Sequence, residues 1–567
     1  MLKGIGASEG YGIGKILIIE EKKLEYTPHA VNDVDAEIGR FKDAVDSFIE
    51  ETKKQAAALR ISAGEKEAGI MEGHIQIMND PAMGMEIENL IRAGTCAEAS
   101  VEQMLDMFIN IFSMTDDDLT RQRASDLKDI KRALLSILLG ISEVKISDAP
   151  AGTVLVAKEV TPSMTAGINK DNIVGIITET GSQTSHSAIL ARAMEIPAVL
   201  SVPNALSQLS SGEQVIVDGT NGDVITAPGP DEVAEYTARR DAFLREKREL
   251  ELFRGRRTLS ASGEEYELCC NIGSPKDAGK AMEADGEGVG LFRTEFLFMD
   301  RTALPTEDEQ FEAYKAAAVI LKGKPLIIRT LDIGGDKEIP YLGLEKEENP
   351  FMGFRAIRYC LKNRDMFKSQ IKAILRASAF GDVRIMFPLI TAVDELREGK
   401  ALVEEAKDYL RASGIAFNEN IPVGVMTETA ASGVIADLLA KEADFFSIGT
   451  NDLTGYTMAC DRGNSDVSYL YSPFQPSVLR MIRAIIENGR KENIPVGMCG
   501  EAAANPMMIP LLMSFGLTEF SVSSVSVLKV RKNISKWTKA EADAVTEKVM
   551  AMTTEKEVVD YLSSVIG

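Results

Sequence analysis

The chain has 567 residues, of which 45% are hydrophobic and 26% charged, with a formal net charge of −23. These are the proportions of a soluble globular protein of more than one domain. The acidic balance argues against a nucleic-acid backbone as partner, which needs clustered lysine and arginine, and is compatible with a basic protein partner. Six scattered cysteines show no zinc-ribbon or disulfide-framework spacing, no apolar run is long enough to span a membrane, and no signal-peptide pattern opens the sequence. Reduced thiols, a cytoplasmic setting and no membrane insertion are therefore expected.

Residues 1 to about 20 read as β-structure, first over Gly4–Gly10 and then over Lys15–Ile19. From about Asn32 to Ile141 apolar residues recur at helical spacing, as in Ile38, Phe41, Val45, Phe48 and Ile49, with a break at Pro81. Residues 152 to 227 return to short β-rich runs, among them Val154–Ala157 and Gln214–Asp218, the latter followed by a hairpin turn at Gly219–Gly222. The expected organisation is an α/β domain from residues 1–22 and 145–228, interrupted by a helical subdomain over 23–144. A charged helix, Asp231 to Arg254, lies in a linker over 229–259 and reads equally well as a solvated connector or an ordinary surface helix.

Within the α/β domain, the strand-like Asn172–Thr178 leads into Gly181-Ser182-Gln183-Thr184-Ser185-His186, and a helical run from Ser187 to Met194 leads out. His186 is one of only three histidines. It stands where free helix N–H groups favour phosphate, and neutral imidazole is a nucleophile near neutral pH. It is a candidate phosphoryl carrier, although position alone favours a capping or packing histidine. His74, in the helical subdomain, reads as a surface or core histidine, with polarising a carrier interface as the alternative.

From about residue 260 to 567 strand and helix alternate. Eight candidate strands are Leu268–Ile272, Gly288–Leu291, Leu326–Thr330, Val383–Phe387, Val423–Thr427, Phe445–Ile448, Pro495–Met498 and Phe520–Ser523. Short apolar runs of this kind suit parallel strands buried on both faces, and eight of them suggest a (β/α)8 barrel, with an open doubly wound sheet as alternative. Barrel sites gather at the C-terminal strand ends. Those ends carry Arg293, Arg329 (with Arg355 in its loop), Glu428, Asn451 and Asp452 (with Arg462 downstream), and Cys499. Arginines fork onto phosphate and carboxylate, and Glu428 and Asp452 could bind Mg²⁺, so the set describes a pocket for a small, strongly anionic metabolite. Taken singly, such an arginine is more often in a structural ion pair, and Cys499 more often a small buried apolar residue.

The segment Thr184-Ser185-His186 with Ala188-Ile189 and Ala191-Arg192 resembles the phosphohistidine motif of the phosphoenolpyruvate-utilising enzymes. That family includes the Enzyme I proteins of the sugar phosphotransferase system, pyruvate phosphate dikinase and phosphoenolpyruvate synthase. Three longer blocks are similar to the C-terminal domain of the Enzyme I group: Gly288–Arg301, Phe445–Thr454 with Asp461–Asn464, and Gly497–Glu501. The chain has no room for the ATP-binding domain of the dikinases and synthases and no Gly-x-x-x-x-Gly-Lys-[Ser/Thr] loop. Ser182, Gln183, Gly455, Gln475 and the Met426–Thr429 run depart from the family pattern, and none of these departures removes a residue assigned to chemistry.

The resemblance implies a phosphoenolpyruvate-protein phosphotransferase. His186 would take the phosphoryl group of phosphoenolpyruvate. Arg293, Arg329, Arg355 and Arg462 would hold phosphate and carboxylate, with Asn451 and Asp452 orienting the substrate. Glu428 and Asp452 would bind Mg²⁺, and Cys499 would protonate the enolate to pyruvate. The phosphoryl group would pass to a histidine of the carrier HPr, docked on the helical subdomain, in the service of sugar uptake, and the barrel would form a homodimer. A specialised paralogue serving another carrier and a non-catalytic phosphoenolpyruvate sensor are the alternatives.

Overall fold

Valine, isoleucine and alanine alternating along short strands build a sheet with two buried faces. In this computed structural model, residues 1–566 are described except 20–23, 63–64, 114–117, 142–145, 147–148, 161–163, 165–167, 184, 300 and 335–338; the side chains of 58–59, 61–62, 65–67, 118–122, 125, 186 and 340 are also outside the description. The chain divides into two compact units, Met1–Lys247 and Arg248–Gly567.

In the first unit, β1 (Leu2–Lys3), β2 (Ile5–Ser8), β3 (Tyr11–Ile19), β4 (Thr153–Ala157), β5 (Ile173–Thr178), β6 (Ala198–Leu200), β7 (Gln214–Asp218) and β8 (Asp223–Thr226) form one sheet. Their order is β1-β8-β7-β3-β4-β5-β6-β2, with a parallel centre from β3 to β6. Leu155, Ala157, Ile176 and Leu200 pack on one face against Ala188, Ala191 and Met194, from the helix His186–Ala193 and its C-terminal end. Val154, Val156, Ile177 and Val199 pack on the other face against Val215, Val217 and Val224. This period-two division of side chains holds the register, because a one-residue slip would exchange the two faces. The Gly219–Gly222 turn closes the antiparallel β7–β8 hairpin, as expected.

Between β3 and β4 the described residues form α-helices over Val34–Ser62, Glu65–Met78, Pro81–Arg92, Ala97–Ser113 and Asp118–Leu139. Ile38, Phe41, Phe48, Ile87, Ile91, Val101, Leu105, Ile130 and Leu134 make their common core. The break at Pro81 is a helix start: Asp80 caps it, accepting from Ala82 N at 2.9 Å, and proline occupies the first turn, where no N–H is needed. Arg40 ties the helices together, donating to Glu98 at 2.6 and 2.8 Å and to Glu37 at 2.7 Å. His74 is buried, with Nε2 3.5 Å from Asp126 Oδ1. The charged helix spans Pro230–Glu251 and stops short of Arg254, whose guanidinium turns back onto Glu251 at 2.7 Å and donates to the Glu283 carbonyl at 2.6 Å.

The second unit is a closed barrel of eight parallel strands. They are β9 (Glu267–Ile272), β10 (Val289–Arg293), β11 (Leu326–Arg329), β12 (Val383–Phe387), β13 (Val423–Thr427), β14 (Phe446–Ile448), β15 (Val496–Met498) and β16 (Glu519–Val522). Every strand expected from the sequence is present to within two residues, and the pairing of β16 with β9 closes the ring, which removes the open-sheet alternative. Outward-facing side chains such as Leu268, Cys270 and Ile272 join the large core beneath the outer helices. Leu291, Ile327, Met386, Met426, Phe445 and Cys499 form a separate cluster inside the ring. Arg531 secures the segment leading into the barrel, donating to Thr258 Oγ1 at 3.0 Å, Phe253 O at 3.1 Å and Asp285 O at 2.8 Å.

Candidate active site

The C-terminal ends of the barrel strands bring buried charges of both signs together. Arg329, the last residue of β11, donates to Glu295 Oε1 at 2.7 Å and lies 2.9 Å from Asp332 Oδ2. Arg355, from the following loop, donates to Asp332 Oδ1 at 2.7 Å and to Asp452 Oδ2 at 3.3 Å. Asp332 thus bridges two guanidiniums, and all three of these side chains are buried. Burial works against the charge of each arginine, but the surrounding carboxylates more than restore it, so both stay firmly cationic.

Glu428, just past β13, is 2% exposed and accepts from Leu389 N at 2.7 Å. Burial first, then the charges of Asp452 and Asp332, push its carboxyl up to about 8, against the pull of Arg329 and Arg355. A Cβ at Gly449 would come within 2.7 Å of Glu428 Oε2, so glycine at the end of β14 is what leaves space for this side chain. Two carboxyl groups close enough to raise Glu428, those of Glu428 and Asp452, offer oxygen donors of the kind a hard cation such as Mg²⁺ takes.

Cys499, just past β15, lies inside the ring, packed with Leu291, Ile327, Met386, Met426 and Phe445. Burial pushes its thiol up to about 11, although its polar surroundings and the charge of Arg329 act the other way, and Sγ donates to the Ile448 carbonyl at 3.8 Å. At neutral pH it is a protonated thiol, able to donate rather than to attack. Asn271 of β9 supports it from across the mouth, donating to the Cys499 carbonyl at 2.9 Å and accepting from Ser521 Oγ at 2.7 Å.

The remaining expected residues sit further out. Asn451 opens the helix Thr450–Met458 together with Asp452, and its Nδ2 reaches Glu501 at 3.4 Å. Tyr471 donates to the Asn451 carbonyl at 2.9 Å and shares a side-chain hydrogen bond with the exposed Arg462. Arg293 is exposed at the end of β10, in register with Arg329. The structure therefore draws the buried Arg329, Arg355, Glu428 and Cys499 together with the half-buried Asp452 and leaves Arg293 and Arg462 exposed. Sequence reasoning passed over Asp332 and Glu295, although a buried arginine requires a counter-charge and both acids stand within three residues of an expected arginine. Residues 335–338, which follow in the same loop, lie outside the described residues.

In the first unit, the helix His186–Ala193 begins at Ser185, whose Oγ accepts from Ala188 N at 3.4 Å and donates to Ser182 O at 2.8 Å. Gly181 holds φ at +123°, a conformation that side-chain-bearing residues avoid. Arg192 donates to Gln183 O at 2.9 Å and to Ala7 O at 3.1 Å, fastening the turn to β2. His186 is thus the first residue of a helix at a strand-to-helix turn, as the sequence implied. Its side chain and Thr184 lie outside the described residues.

Comparison with known proteins covers nearly the whole length. Residues 3–123 match the family model for the PEP-utilising enzyme, N-terminal; residues 149–222 that for its mobile domain; and residues 247–539 that for its PEP-binding domain. The phosphoenolpyruvate-protein phosphotransferase of Bacillus subtilis (strain 168) is 44% identical over 562 residues, covering 99% of each chain. That of Priestia megaterium is 43% identical over 564 residues, covering 99% of this chain and 98% of its own. That of Bacillus sp. (strain S) is 44% identical over 564 residues, covering 99% and 97%.

Proposed function

The chain belongs to the PEP-utilising enzyme family, and from that premise we propose that it moves the phosphoryl group of phosphoenolpyruvate to His186 and then to a histidine on a small carrier protein of the HPr kind. Its relatives are named phosphoenolpyruvate-protein phosphotransferase, and it is an enzyme of that class, a transferase. The observation that carries the finer reading is the meeting of two charged arginines, two carboxylates and one protonated thiol at one end of the barrel.

In this reading the phosphate and carboxylate of the substrate exchange for the carboxylates now engaging Arg329 and Arg355, with Arg293 and Arg462 closing from the rim. Glu428 and Asp452 hold Mg²⁺, which when bound supplies charge neutralisation for the phosphate and the leaving enolate oxygen. Asn451 orients the substrate. An imidazole nitrogen of His186 attacks phosphorus, and the bond from phosphorus to the enol oxygen breaks, leaving phosphohistidine and the enolate of pyruvate. The Cys499 thiol gives its proton to the enolate methylene carbon, completing pyruvate, and solvent returns a proton to sulfur. Transfer of this kind depends on positioning and charge stabilisation, which a preorganised arginine cluster provides.

Residues 1–22 with 145–228 act as the phosphohistidine domain, 23–144 as the carrier-binding subdomain, 229–259 as the linker and 260–567 as the substrate and dimerisation domain. Exposed Met85, Met107 and Ile111 on the carrier-binding helices support a docking role, and the net charge of −23 suits a basic carrier. Exposed Val434 and Leu438 on the outside of the barrel support the homodimer. No helix among the described residues is long and apolar enough to cross a membrane; the proposed setting is the cytoplasm.

The test is incubation with Mg²⁺ and phosphoenolpyruvate, reading pyruvate release and intact mass for wild type and His186→Ala. A phosphate-sized gain confined to wild type is expected. No gain in either protein, with phosphoenolpyruvate still bound, would leave a sensor rather than an enzyme of this mechanism.

A further inference from the structure

The opposite end of the barrel carries a second polar cluster that the phosphoryl-transfer reading does not use. Glu267 and Cys269 point inward from β9, and Glu519 points inward from β16, the neighbouring strand. One ligand atom from each lies within 4.8 Å of the others. Glu267 and Glu519 are direct register partners. Like charges directly opposite across neighbouring strands are destabilising, and a buried carboxylate is costly unless it is paired.

Glu519 is 6% exposed, and its Oε1 has no hydrogen-bond partner among the described residues. Glycine on two other strands makes room for its carboxyl group. A Cβ at Gly290 would lie 2.2 Å from Glu519 Oε1, and one at Gly497 would lie 3.1 Å from its Cδ. Arg384 of β12 lends favourable charge to Glu267 and Glu519, but its guanidinium is bonded to Asp382 at 2.8 Å and not to either of them. Two carboxyl groups and a thiol therefore converge with no direct ion-pair partner among the described residues.

We propose that Glu267, Cys269 and Glu519 bind a borderline-soft divalent cation of the zinc type at the N-terminal end of the barrel. A thiolate with two carboxylates selects such an ion over Mg²⁺, which demands an all-oxygen octahedral shell. Four-coordinate zinc, at about 2.0–2.3 Å from each ligand, needs neighbouring ligands about 3.3–3.8 Å apart. A small inward rotation, chiefly of the exposed Glu267, achieves this from the observed spacing. Binding releases the Cys269 proton, and a water completes the shell from the Glu267 side, which is also the entry path. The site is separate from the Glu428–Asp452 region: four residues of strand rise, about 13 Å, divide Glu267 from Asn271 at the other mouth.

The test uses the full chain, stripped by chelation, kept reduced with a phosphine and saturated with Mg²⁺ to occupy oxygen-only sites. Co²⁺ is then titrated and the sulfur-to-cobalt charge-transfer absorption recorded. One equivalent is expected to give the band and Zn²⁺ to displace it. Cys269→Ser should abolish it, whereas Cys270→Ser, whose side chain faces the outer helices, should keep it. Glu267→Gln should weaken Co²⁺ affinity by at least about tenfold, since even outer-shell losses cost that much. No band in wild type, a band that survives Cys269→Ser, or one lost in Cys270→Ser overturns the proposal. If Cys269→Ser does not fold, Glu267→Gln decides, and unchanged affinity there overturns it equally.

Discussion

Removing the charge of Asp332 should loosen the barrel more than any other single isosteric change at its active end. Asp332 lies 2.9 Å from Arg329 and 2.7 Å from Arg355, and the three side chains are 7%, 8% and 7% exposed respectively. Asp332→Asn preserves shape but leaves two buried guanidiniums short of one negative charge. Breaking a buried pair costs about 3–5 kcal/mol. The lower end applies, about 3 kcal/mol, because Arg329 keeps Glu295 at 2.7 Å and Arg355 keeps Asp452 at 3.3 Å. Trp537 is the single tryptophan, belongs to the second unit and packs against the barrel core. Its fluorescence during urea unfolding therefore reports this unit without interference from the other, where one overall unfolding energy would be ill defined. A cycle with Arg355→Met should return a coupling of about 1–3 kcal/mol between the two positions. A loss below about 1 kcal/mol for Asp332→Asn, with no coupling, would show that the cluster behaves as a solvated surface group and would refute the reasoning.

Three further outcomes follow from individual contacts. Burial raises Glu98, but its hydrogen bonds with Arg40, a backbone hydrogen bond and the charge of Arg40 together outweigh that and hold the carboxyl below its usual value; its stabilisation is therefore present above the unfolded pKa and lost as pH falls through the folded one. Glu98→Gln should cost the helical region about 1–2 kcal/mol at pH 7, discounted for the partly exposed Arg40, and progressively less as pH falls below the ordinary glutamate range, read by circular dichroism of thermal melts; a cost that does not fall with pH would contradict this. Because burial pushes Cys499 up to about 11, its alkylation by iodoacetamide, followed by peptide mass spectrometry, should rise about tenfold per pH unit up to pH 10; a plateau below pH 9 would mean the thiol is not held protonated. Gly449→Ala would place a Cβ 2.7 Å from Glu428 Oε2, so pyruvate release from phosphoenolpyruvate should fall by at least about tenfold while the Trp537 unfolding transition stays within about 1 kcal/mol; full activity would show that the position of Glu428 is not critical.

The parts of the molecule legible in the sequence are those set by local pattern. Strands such as Val423–Thr427 are short, mostly apolar runs between polar breaks, and parallel barrel strands buried on both faces tend to look that way. The residues after them could be named as site candidates because the barrel itself sorts strand ends from strand middles. What escaped is what depends on burial and on pairing between distant strands. Glu295 and Asp332 resemble ordinary acidic residues until Arg329 and Arg355 are known to be buried, whereupon each becomes a necessary counter-charge. Cysteine spacing gave no hint of a cation site, because spacing rules detect ligands close in sequence, whereas Cys269 meets Glu519 only when the last strand closes onto the first.

The barrel spends stability at both of its ends, in the same way and for different reasons. At the C-terminal end, burial first and then the charges of Asp452 and Asp332 force Glu428 upward, against the pull of Arg329 and Arg355. At the N-terminal end, Glu519 has a buried oxygen with no hydrogen-bond partner among the described residues, beside the opposed Glu267. Along β9 the inward positions run Glu267, Cys269, Asn271, with no large apolar side chain among them, whereas the outward positions run Leu268, Cys270, Ile272. A barrel selected only for stability would fill those inward positions with branched apolar residues, the usual occupants of such layers. Their polarity, continuous from one mouth to the other, is therefore better explained by ligands than by packing. The consequence is a linkage: species that supply positive charge at either end should raise the unfolding transition of the second unit by mass action and leave that of the first unit unmoved.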